Sequence, residues 1–144
     1  MTSSPDATAG AAVAASSPGE LKQAVLRLYN AANQAVWGAG VREQQVDLLE
    51  DRILVIALHQ RVPALASLDA TRRSLTREVD VALMDQFKQH LARALQEELG
   101  LGVRAVLKDY DPDTQLACTV AVLSEPLSFP STHHPRRGAV PATR

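Results

Sequence analysis

The sequence predicts an α+β fold in which a four-stranded, mainly antiparallel sheet is packed by helices on one face, in the order α-β-β-α(α)-β-β. Three observations predict it. Two helix-length apolar tracks recur at steps of three and four residues, and each precedes a pair of short β-rich runs. Turn-forming residues separate the members of each pair, Glu50-Asp51 in the first and Asp111-Pro112-Asp113-Thr114 in the second. The length of 144 residues suits one hydrophobic core.

The first helix opens at Ser17-Pro18-Gly19-Glu20, where Ser17 can cap the first turn, Pro18 suits the first helical position and Glu20 completes a capping box. Leu21, Val25, Leu28, Ala32 and Val36 then mark one apolar face, which Gly38 and Gly40 end. Strands are expected over Gln44 to Leu49 and Arg52 to His59. The second of these is apolar on both faces and should be central. Pro63 stops it. Ala64 to Leu99 turns helical along Leu65, Leu68, Leu75, Val79, Leu83, Phe87, Leu91, Leu95 and Leu99, with a break near Thr71 to Thr76. Gly100 stands where a left-handed cap is expected. A half-exposed third strand follows, with Val103, Ala105 and Leu107 alternating against Arg104 and Lys108, and Leu116 to Leu123 forms the fourth. Residues 1–16 and 128–144 are small, polar or proline-punctuated, and are expected to be disordered tails around a single domain at 17–127.

Composition excludes several function classes. With 15 basic and 16 acidic residues there is no general field to draw the chain onto nucleic acid. Aromatic residues make up only 3%, which argues against base-stacking platforms. The one cysteine, Cys118, can form no intramolecular disulfide and fits a reducing, cytoplasmic location. Residues 1–17 lack the basic and apolar regions of a signal peptide, and no run reaches the roughly 18 apolar residues of a membrane span, so direct membrane insertion is not expected.

Several residues invite a chemical reading. Asp109, Asp111 and Asp113 have the spacing that opens a calcium loop, but Thr114 stands where glycine is needed and Val120 where a glutamate is needed, so an acidic hairpin turn is expected. Cys118 lies inside a β run, the setting of a core or sheet-face thiol rather than a nucleophile. His59, His90 and the His133-His134 pair show no metal-ligand spacing. Gly38-Ala39-Gly40 is too short for a phosphate loop. Arg72, Arg73 and Arg77 place three guanidinium groups within about two helical turns, a candidate anion site to which Arg61 and Arg104 could add. Leu75, Val79, Leu83, Phe87 and Leu91 form a broad apolar track, a candidate homodimer interface. No nucleophile, base and orienting group can be named together, so neither an enzyme nor a cofactor nor a metal is expected.

The Gly38-Ala39-Gly40 corner, the Arg77-containing helix ending in Glu98-Leu99-Gly100, the Val103 to Asp109 strand, the Asp111 to Thr114 turn and the closing Val120 to Leu123 run together resemble the MpsC-like family, over about Leu21 to Leu123. The chain differs from that pattern at Pro63, Ala64 and Leu65. The resemblance implies a soluble accessory component of a membrane-potential-generating or inorganic-carbon uptake system, with no active site to carry over. The expectation is therefore a non-enzymatic interaction module, dimeric, with a protein partner that can be membrane-associated. A small-ligand or anion-binding regulatory domain is the alternative.

Overall fold

The structure, a computed structural model, describes residues 15–130. Most of both expected tails, including His133 and His134, lies outside the described residues. The elements are α1 (Pro18–Trp37), β1 (Val41–Leu49), β2 (Arg52–His59), α2 (Pro63–Asp69), α3 (Arg73–Leu99), β3 (Val103–Tyr110) and β4 (Leu116–Leu123). They build the α+β fold that the apolar patterning predicts. The four strands pair antiparallel in the order β1-β2-β4-β3, so the doubly apolar β2 is central, and α1 and α3 pack together over one face.

Ser17 caps α1 by accepting the N–H of Glu20 at 3.2 Å, with Pro18 at the first turn. The Glu20 carboxylate reaches one residue further back than a capping box requires. It accepts from the backbone N–H and the hydroxyl of Ser16, at 2.9 and 2.7 Å. Ala15, just before Ser16, is buried. At the other end, Leu127 donates to Glu50 O at 2.6 Å and Phe129 packs against the core. Gly38 and Gly100 end α1 and α3 in the left-handed conformation, where the missing Cβ removes the steric cost.

Strand register decides what faces the helices. The β2–β4 ladder pairs Ile53 with Ala121, Val55 with Thr119 and Ala57 with Ala117. All six side chains are buried beneath Leu21, Val25, Leu28, Phe87, Leu91 and Leu95. A bulge between Val103 and Ala105 resets β3, whose pairs are Val106 with Ala121, Lys108 with Thr119 and Tyr110 with Ala117. This reverses the expected alternation. Val106, Lys108 and Tyr110 turn toward the helices, whereas Leu107 lies on the opposite face and is 58% exposed. Both faces of β3 carry apolar residues, so composition alone does not select the buried one.

The expected apolar track of α3 is also divided. Phe87 and Leu91 belong to the core of the chain itself, Val79 and Leu83 are half-buried, and Leu75 is exposed, so these five residues do not form one free interface. Steps of four drift around a helix of 3.6 residues per turn. In the first half of α3 the inward positions are instead Thr76, Asp80 and Met84. Asp80 turns inward to meet Arg61.

Candidate functional site

Four of the five aromatic residues gather at one end of the domain, around Lys108 and His59. Lys108 Nζ stands 3.6 Å from the centroid of Phe87, 4.9 Å from that of Tyr29 and 5.1 Å from that of Trp37. It donates one hydrogen bond, to Tyr29 Oη at 3.0 Å. Among the described residues no carboxylate pairs with it. The ring faces favour an ammonium. Burial opposes them and pulls the Lys108 pKa down to about 7, so amine and ammonium coexist near neutrality.

Tyr29 Oη also lies 2.7 Å from His59 Nε2 and 3.5 Å from Thr119 Oγ1. Burial, and then the neighbouring Lys108 charge, holds His59 down to about 3, which leaves its imidazole neutral. Burial pushes the Tyr29 phenol well above its ordinary range, so it stays protonated. Tyr29 thus accepts from Lys108 and donates to His59. The Tyr110 hydroxyl donates to the backbone carbonyl of His59 at 3.0 Å and fixes the strand end that presents the imidazole.

Beside this chain lies a cavity of about 20 Å³, lined by Asn33, Trp37, His59, Lys108 and Tyr110 among others. That is room for about one water molecule. Asn33 is 2% exposed. Its Nδ2 donates to Ala39 O at 2.9 Å, but its Oδ1 has no partner among the described residues. An unpaired buried acceptor costs about 1–3 kcal/mol.

Arg61, at the same end, is fully engaged. Its Nε and Nη2 donate to the two Asp69 oxygens at 2.9 and 2.7 Å, and its Nη1 donates to Asp80 Oδ1 at 2.7 Å. The forked pairing holds Asp69 down to about 2. The cluster ties the loop after β2 to both α2 and α3, and two carboxylates outweigh its single positive charge.

The opposite face of the sheet is different in kind. Leu54, Ile56 and Leu58 of β2 lie across from Val120, Cys118 and Leu116 of β4, and Leu107 of β3 flanks Val120. Leu107, Leu116 and Ile56 are 58%, 49% and 42% exposed. Among the described residues no helix covers this face.

The anion site expected at Arg72, Arg73 and Arg77 is dispersed. Arg73 pairs with Asp113 at 2.9 Å, and the groove that Arg73 and Arg77 line also holds Asp80, Asp109 and Asp111. Arg72 sits in the turn before α3 and does not line that groove. Asp111 closes the β3–β4 turn by accepting from the Thr114 hydroxyl at 2.7 Å. His90 is exposed on α3, away from the buried His59, and Cys118 is exposed on the open sheet face. Sequence reasoning missed the Lys108 site. Two signals could have found it: a lysine between Val106 and Tyr110 on one strand face, and the scarcity of aromatics, which makes their convergence on one point informative. Comparison with family models, curated proteins and solved structures finds no match in any of the three.

Proposed function

We propose that the protein is a non-enzymatic interaction module that pairs with a second copy of itself through the open face of its sheet, and that the pair serves a cytoplasmic partner as an accessory component of the kind the MpsC-like resemblance implies. The observation that carries this reading is the contiguous apolar surface of Leu54, Ile56, Leu58, Leu107, Leu116 and Val120, which the fold leaves uncovered. An exposed apolar patch of this kind marks an interaction surface. Face-to-face packing of two sheets is the simplest cover for it.

The margin of the patch favours a second copy. The register places Arg42 opposite Leu58 and Arg52 opposite Val122 on the same face, with Asp47 opposite Leu54 and Asp109 opposite Cys118. Two cations and two carboxylates around an apolar centre let two identical faces meet with opposite charges in contact. The interface expected on α3 is replaced in this reading by one on the sheet, because Phe87 and Leu91 are already spent in the core. Among the described residues no helix is long and apolar enough to cross a membrane.

The test is sedimentation equilibrium of the full chain against its Ile56→Glu and Leu107→Glu variants. The reading expects a dimer that each variant weakens by at least about tenfold, since a charge buried at an interface costs more than 1.4 kcal/mol. A wild-type chain that stays monomeric at tens of micromolar, or a dimer indifferent to both substitutions, would refute it.

A further inference from the structure

We propose that Lys108 is a covalent capture site for small uncharged aldehydes, which condense with its Nζ at the cavity walled by Asn33, Trp37 and Tyr110. The geometry supplies what an imine-forming lysine requires. Its amine is in no ion pair among the described residues, it lies against three rings with a single hydrogen bond, and Lys108 is one of the residues lining the cavity. Asn33, whose Oδ1 has no partner among the described residues, is one of the residues lining the same space. The depressed pKa of Lys108 adds a substantial amine fraction at neutral pH.

The step balances without an external oxidant or reductant. The Nζ lone pair attacks the carbonyl carbon, and the carbonyl π pair moves to oxygen, which takes one of the two amine protons to give a carbinolamine. The nitrogen lone pair then forms the C=N bond as the C–O bond breaks. The second amine proton leaves with that oxygen as water. Tyr29 Oη, bonded to Nζ on one side and to His59 Nε2 on the other, is the positioning residue placed to carry these protons.

Size and charge set the ligand class. The cavity of about 20 Å³ admits only the carbonyl end, with the rest of the molecule passing the exposed Gln60 toward solvent. Arg61 lines the cavity too, but Asp69 and Asp80 take its donors and leave a net negative cluster that disfavours a carboxylated carbonyl.

The chain has only three lysines, so Lys22 and Lys88 serve as internal controls. Full-length protein is treated at neutral pH with limiting glycolaldehyde and sodium cyanoborohydride, and the adducts are located by peptide mass spectrometry. Lys108 is expected to be labelled at least about tenfold faster than either control, the direction set by a larger amine fraction. Unfolding in urea is expected to abolish that preference. Tyr29→Phe is expected to slow labelling of Lys108 about tenfold, within the usual range for loss of a proton-transfer group, while leaving Lys22 and Lys88 unchanged. Labelling of the three lysines at similar rates in the folded wild type overturns the site, as does a preference that survives in urea. Glyoxylate outpacing glycolaldehyde at Lys108, after normalisation to the two controls, overturns the uncharged class.

Discussion

Arg61 Nη1 lies 2.7 Å from Asp80 Oδ1, and this contact joins the segment after β2 to the first half of α3, where the polar Thr76 and Asp80 take inward positions. Arg61→Ala leaves Asp80 as an uncompensated charge, 8% exposed. The expected cost is about 3–5 kcal/mol, the range for breaking one side of a buried pair. Replacing the whole cluster, Arg61→Met with Asp69→Leu and Asp80→Leu, should recover most of the loss, because apolar side chains of similar volume remove the desolvation penalty for all three charges. Urea denaturation of the three chains measures both.

Lys108 and His59 give the domain a signed dependence on pH. The Lys108 pKa falls from its ordinary 10.5 to about 7 on folding, so between those values the unfolded chain binds more protons and stability rises with pH. His59 acts in the same sense between 6.5 and about 3, and its contribution is lost as pH falls through that window. Thermal melts across both windows should therefore show stability climbing toward mildly alkaline pH.

Lys108→Met should raise stability at neutral pH by on the order of 1–3 kcal/mol, since it removes an ionisable group from an apolar cage at the cost of one hydrogen bond. It should also flatten the alkaline rise.

Ile56→Glu and Leu107→Glu place a charge on the open sheet face, where the monomer has little to lose. Unfolding measured at low protein concentration should change by within about 0.5 kcal/mol, while association falls. The two readouts moving together would instead make the face part of the monomer's own packing.

Gly38→Ala should cost about 1 kcal/mol. Nothing lies within 4 Å of the added Cβ, so the whole penalty comes from the left-handed φ of 67°. Gly40→Ala, equally open and without the positive φ, should be neutral or slightly stabilising in the same melts.

Much of the fold was legible because its signals are local. Ser17, Pro18 and Gly38 bound α1, Asp111 and Pro112 mark the β3–β4 turn, and the doubly apolar Ile53 to Leu58 run marks a central strand. The site was not legible, because it depends on register. The bulge after Val103 decides that Lys108 points inward and Leu107 outward, and nothing in the alternation of β3 forces that choice. β3 is half-exposed as expected, but the same bulge exchanges its two faces and adds Leu107 to the apolar outer face that β2 and β4 form. Asp80 was hidden for a related reason: an inward aspartate makes sense only once Arg61, nineteen residues earlier, is known to meet it.

Trp37 is the chain's single tryptophan, and its ring lies 5.1 Å from Lys108 Nζ and 5.8 Å from the His59 ring. Indole emission is sensitive to a nearby ammonium and to imidazole, so the intensity and wavelength of the protein's own fluorescence carry the charge state of the pocket. The domain is in effect supplied with an optical probe at the place where its chemistry is concentrated, and titration or occupancy of Lys108 can be followed without attaching a label.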